Sequence, residues 1–155
     1  MSKIIAIANQ KGKDVICIYV PIGKAKKNVK AVYQELQKRG AMDYTIILAA
    51  LNDDLPPALF LTPYVAASIA EYYMMQGKDV LVVFDDLKRH AKVHREISLL
   101  SGKVPGRDAY PPDIFYVHSR LLERSSCLKK ELGGGSITAL PIIETQSGDV
   151  SAYIP

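Results

Sequence analysis

The chain is poor in cysteine, in long apolar runs and in excess charge of either sign. Its 155 residues include two cysteines. Cys17 lies in the apolar run VICIYV and Cys127 in a polar stretch. These settings do not suggest a disulfide framework, so the sequence reads as cytosolic, with Cys17 a small core residue. No stretch approaches the roughly 20 apolar residues of a membrane span. The apolar part of MSKIIAIANQ is too short for a secretory signal. Direct membrane insertion is therefore not expected. The net charge is only +4, with both signs spread along the chain, whereas duplex binding gathers Lys and Arg on one face. Nucleic acid is not an expected partner. The densest basic segment, Lys24 to Lys30, reads as a solvated helix start.

What is present is the composition of one globular domain over 1–155, 48% hydrophobic and 23% charged, enough to bury a core. Strand and helix signals alternate. Val15 to Val20 reads as a fully buried strand. Lys24 to Arg39 reads as a helix with Val29, Val32, Tyr33 and Leu36 on one face and Gly40 as its stop. Tyr44 to Ala50 is a second strand, and Asn52 to Pro57 a loop. A helix from about Pro63 to Gln76 ends at Gly77. Val80 to Phe84 is a third strand and Leu87 to Leu100 a third helix. Pro111 to Lys130 is expected to be the longest helix, Gly133 to Ser136 a flexible turn, and Ile137 to Ile143 the last strand. Strands separated by helices imply βαβ units with right-handed crossovers. The fold class expected is α/β, a three-layer α/β/α sandwich on a mainly parallel sheet.

Candidate chemistry concentrates at strand ends. Asp85 and Asp86 close the apolar strand Val80 to Phe84, and the carboxyl end of such a strand opens onto the crevice where ligands bind. A carboxylate there can hold Mg²⁺ beside a triphosphate; the plainer role is capping the next helix. Gly23-Lys24 also follows a strand and opens a helix, so its N–H groups could meet an anion. His90 and His94, four apart and flanked by Lys88, Arg89, Lys92 and Arg95, read as exposed helix histidines without a metal. His118-Ser119 lies in a helix and not on a strained elbow, which argues against a triad.

Two long stretches carry a resemblance: RDAYPPDIFYVHSRLLERS at Arg107 to Ser125 and LGGGSITALPIIETQSGDVSAYIP at Leu132 to Pro155. With Gly12 to Val20, Gly40 to Thr45 and Val83 to Leu87, they are similar to the nucleotide-binding domain of the rotary ATP synthase alpha subunit. The likeness runs from about Asn9 to Pro155. It implies a RecA-like P-loop nucleoside triphosphatase core, ATP or ADP with Mg²⁺ as cofactors, and Asp85 as the Walker B acid on the metal side. It also implies beta subunits as partners, and a cytoplasmic place in a proton-transporting complex peripheral to an energy-transducing membrane. A shorter similarity links MSKIIAIANQKG to the opening strand of MinD-like partition ATPases.

The departures from that family are as telling. No GxxxxGK[ST] loop is present; Gly12-Lys13 is followed by Asp14, an anion where a hydroxyl is needed. Pro21-Ile22-Gly23-Lys24 replaces the family's AIGQK, so Lys24 stands at the Gln position, and a protonated lysine has no acceptor with which to act as a base. The arginine that the family lends to a neighbouring site lies beyond SAYIP. Lys26, Lys27, Arg89 and Lys92 would make a detached domain more soluble. The expectation is thus a truncated fragment, engineered or recombined, acting as a non-catalytic structural or interaction module with lost or weak ATP binding. The alternative is a weak Mg-ATP or phosphate binder using Asp85 with Gly23 and Lys24. An open sheet edge would favour a homo-oligomer, or a rearranged first strand over Lys3 to Ala8, where the resemblance instead favours a truncated helix.

Overall fold

The computed structural model describes residues 3–5, 15–145, 148, 153 and 154. Among the described residues five strands, β1 (Val15–Lys24), β2 (Thr45–Ile47), β3 (Ala50–Leu51), β4 (Asp79–Asp85) and β5 (Ser136–Ile142), are interspersed with four α-helices of nine or more residues. The helices are α1 (Lys26–Lys38), α2 (Pro56–Met75), α3 (Leu87–Leu100) and α4 (Ile114–Leu122). The sheet runs β2-β1-β4-β5 with β3 also on β1; these strand pairings are all parallel, and one isolated antiparallel bridge joins Cys127 to Ser136. A parallel sheet needs cover on both faces, and β1 shows it: Cys17 to Ile22 are buried without a break. On one face Ile18, Val20, Val80, Val82 and Phe84 pack under Leu59, Ala66, Ala70 and Met74 of α2, Val93 of α3 and Leu121 of α4. On the other, Cys17, Tyr19 and Val83 pack with Leu36 of α1, Ala41 and Ile5. The result is the three-layer α/β/α sandwich that the alternation predicted. Each fully buried Ile or Val in these cores contributes about 1.5–3 kcal/mol by leaving water.

Several boundaries differ from the sequence reading for identifiable reasons. Pro56 and Pro57 begin α2 instead of lying in a loop; in the first turn a missing N–H is no loss and the fixed φ suits a helix. With 20 residues, α2 is the longest described helix, and Pro63 is buried within it. The helix expected over Pro111 to Lys130 is only nine residues long. Its continuation is captured by the sheet: Ser126 accepts from the Ile137 N–H at 2.8 Å and Gly135 accepts from the Leu128 N–H at 2.8 Å. The strand expected over Tyr44 to Ala50 is split, because β3 pairs with β1 across a register shift between Ile22 and Lys24. Gly133 to Ser136 is not a loose connection: a Cβ on Gly135 would stand 2.1 Å from the Met74 carbonyl oxygen, so the chain passes hard against the end of α2. Lys3–Ile5 is helical, which excludes a strand for those three residues; the rest of the Lys3 to Ala8 expectation, and Gly12 to Asp14, lie outside the described residues.

The outer side of β5 is an edge among the described residues. Ser136 donates its N–H inward to Lys78 and Ile137 outward to Ser126, so alternation turns Ala139 and Pro141 outward as well.

Candidate functional site

The register sets Pro21 beside Asp85 and Asp85 beside Ile142. The carboxyl ends of β1, β4 and β5 therefore finish together, and Gly23, Lys24, Asp85, Asp86 and Glu144 gather there. The two aspartates have separate tasks. Asp86 is the N-cap of α3, its Oδ1 accepting the Arg89 N–H at 2.6 Å. Asp85 still belongs to the strand; its Oδ2 accepts the Tyr19 hydroxyl at 2.8 Å and its Oδ1 lies 3.1 Å from Lys24 Nζ. Burial, followed by the Asp85 carboxylate, holds the Tyr19 phenol above its ordinary range, so it stays a donor.

Lys24 sits at the centre of the cluster. Its ammonium also reaches Asp86 Oδ2 at 3.5 Å and bonds the exposed Glu144 carboxylate. Partial burial alone would lower its pKa, but the hydrogen bonds to Glu144 and Asp85 and the charges of Asp85 and Asp86 raise it. Lys24 is the last residue of β1, and α1 begins two residues later, behind Ala25 as N-cap. Gly23 has φ +65°, and a Cβ there would meet Arg89 Cγ at 2.6 Å. Glycine is thus required by both conformation and space.

Asp85, Asp86 and Glu144 each offer a carboxylate oxygen, all within 4.8 Å of one another. That oxygen set suits a small hard cation, and the Lys24 ammonium stands where one would sit. Beside it opens a cavity of about 270 Å³, lined among others by Gly23, Lys24, Lys88, Arg89 and Lys92. Lys88 donates to the Glu144 carbonyl at 3.2 Å. Arg89 Nε is buried without a partner. Sequence reading gave Arg89 and Lys92 only a solubilising role; positions 88, 89 and 92, within two turns of a capping aspartate, are the signal that would have brought them to the cavity.

The histidines are the clearest correction. His90 and His94 are buried, not exposed, because α3 lays its 90/94 stripe against Phe60 of α2, whose ring stacks on both. His90 Nε2 lies 3.0 Å from the Phe60 carbonyl and Nδ1 lies 3.3 Å from His118 Nε2. A carbonyl only accepts, so His90 Nε2 carries the proton and Nδ1 accepts from His118. Burial pushes the pKa of both rings down to about 4. His94 Nε2 is 2.8 Å from Asp113 Oδ1, and that bond holds the Asp113 carboxyl below its ordinary range. Ser119 Oγ donates to the Tyr116 carbonyl at 3.3 Å.

A parallel α/β sandwich with an acidic strand end facing a cationic cavity has the layout of a nucleotide-binding domain. The family model for the ATP synthase alpha/beta family, nucleotide-binding domain, matches residues 2–155, and the chain belongs to that family. It is 58% identical over 149 residues to the ATP synthase subunit alpha of Clostridium botulinum strain Hall, covering 96% of this chain and 30% of that protein. The same identity and coverage hold against ATP synthase subunit alpha of Lactobacillus delbrueckii subsp. bulgaricus strain ATCC BAA-365. The chain thus spans about 30% of the length of these relatives. No helix among the described residues is long and apolar enough to cross a membrane.

Proposed function

We propose that the chain is an alpha-subunit nucleotide-binding domain that works as a structural or interaction module and not as a catalyst, with Mg-ATP binding lost or weak. The observation that carries this reading is the commitment of the strand-end acids: Asp85 is held by Tyr19 and Lys24, and Asp86 caps α3. Both carboxylates are thus engaged by protein partners, which disfavours a role in activating water. The exposed side of α2 supports an interaction role, since Leu61, Val65, Tyr72 and Met75 share one face and remain open to solvent. Beta subunits on the cytoplasmic head of a proton-transporting complex are the partners that the family suggests. Exposed Lys26 and Lys27 on α1 would keep an engineered, detached domain soluble. The edge at β5 would support a homo-oligomer, which sedimentation showing a clean monomer would refute.

A second reading is favoured by the cavity: a weak Mg-ATP or phosphate site in which Asp85 faces the metal, Gly23 allows close approach, and Lys24 and Arg89, whose buried Nε has no partner, meet the phosphates. When bound, Mg²⁺ would neutralise phosphate charge. Calorimetric titration with ATP and Mg²⁺, with Asp85→Ala as control, separates the two. Micromolar binding lost in the variant establishes the second reading, and absence of heat at millimolar ATP establishes the first.

A further inference from the structure

We propose that Lys24 is a tethered competitor for the divalent cation, so that its ammonium and a metal ion occupy the strand-end carboxylates in turn. The inference deepens the weak-affinity reading above and rests on it for context.

The geometry is specific. Asp85 presents two oxygens with different partners: Tyr19 takes Oδ2, and Oδ1 is directed to Lys24. Oδ1 is thus the oxygen left for a cation, and the ammonium already has it. Asp86 Oδ1 is likewise spent on the α3 cap while Oδ2 faces Lys24. The exposed Glu144 closes the third side on the same nitrogen. A divalent ion coordinates such oxygens at roughly 2.0–2.6 Å, which places it in the space the ammonium fills and against a like charge. Both cannot be accommodated. The lysine is also hard to displace by mass action. It is anchored at the end of β1, and its side chain is only 17% exposed, so its effective concentration at the cluster far exceeds that of a free ion. One ammonium stands among three carboxylates, while Lys88, Arg89 and Lys92 line the adjoining cavity. Removing the Lys24 charge therefore takes away the repulsion that stands nearest to an incoming divalent cation.

The test compares the whole wild-type chain with K24Q, K24M and K24R, using Mn²⁺ alone as the probe. Bound Mn²⁺ is read by electron paramagnetic resonance, and melting temperature is read with and without Mg²⁺. Affinity is expected to rise at least about tenfold in K24Q and K24M, with a metal-dependent gain in melting temperature that wild type and K24R lack. Adding Asp85→Asn to K24Q should remove the gain. A second measurement needs only wild type: the acylation rate of Lys24, followed peptide by peptide, should rise at tens of millimolar Mg²⁺ while those of Lys26, Lys27 and Lys30 stay constant. Equal Mn²⁺ affinity across all four proteins overturns the proposal, as does tightening that survives Asp85→Asn, or Lys24 acylation indifferent to Mg²⁺. No nucleotide is present, so these outcomes are independent of ATP affinity. Tight Mg-ATP binding by wild type would sink the weak-affinity reading and leave the metal comparison to decide this one.

Discussion

Acidification should unfold this protein through buried His90 and half-buried His118. His90 and His118 take protons at about 6.5 in an unfolded chain and at about 4 in the folded one, where burial is the leading cause. Their folded values are depressed, so between those limits the unfolded state binds more protons and stability falls as pH falls. Above about pH 7 both states are neutral and these groups contribute no slope. At pH 5 each group costs about 2 kcal/mol, and the two together about 3–4 kcal/mol, against a total stability on the order of 5–15 kcal/mol. The geometry gives the reason: a proton on His90 Nδ1 would point at the N–H of His118, 3.3 Å away across the α3–α4 contact. Glu71 and Asp113, whose carboxyl pKa values are lowered by bonds from Arg124 and His94, lose their contribution only below about pH 4.5, a separate window. Urea midpoints followed by circular dichroism should be flat from pH 8 to 7 and fall steeply from pH 6.5 to 4.5. His118→Gln should flatten that fall by about half. A midpoint unchanged between pH 7 and 5, or one that rises on acidification, would refute the assignment of neutral buried rings.

Three further outcomes are expected. A thiol reagent should label Cys127 at once in the native protein and Cys17 only on unfolding, since Cys17 is buried and its thiol is pushed up to about 11; one fast and one slow phase by absorbance confirms it. Gly135→Ala should destabilise by about 2–4 kcal/mol, because the added methyl meets the Met74 carbonyl, whereas Gly40→Ala, with open space around it, should cost only the positive-φ strain of about 1–2 kcal/mol in the same denaturation assay. Arg124→Met should cost about 1–2 kcal/mol. That side chain bonds both Glu71 oxygens at 2.6 Å, with Ser68 at 2.9 Å, and so ties the end of α4 to α2. Hydrogen exchange should locate the loss at α4.

The sheet was legible because its signal is local. Runs such as VICIYV and VLVVF are short, β-branched and bounded, and they could only be strands covered on both sides. Asp85 and Asp86 were legible for the same reason, standing where an apolar run stops. The histidines were not, because 90/94 spacing and flanking charges describe a helix face without saying what covers it; Phe60, thirty residues earlier in the chain, does. Residues after Leu122 kept a helical composition but were drawn into hydrogen bonds with the start of β5, a long-range competition that periodicity cannot register. Lys24 was legible as a strand-end residue that could meet an anion, but its pairing with Asp85, Asp86 and Glu144 depends on the register that brings β4 alongside.

The outer edge of β5 limits its own extension. Of its three outward-facing positions, Ile137 is already bonded to Ser126 and Pro141 has no N–H to give. A newcomer strand would therefore find the amide of Ala139 as its single donor. Such an edge can accept a short, weakly held visitor but cannot template a continuous ladder, which makes runaway stacking of this chain through β5 a self-terminating process.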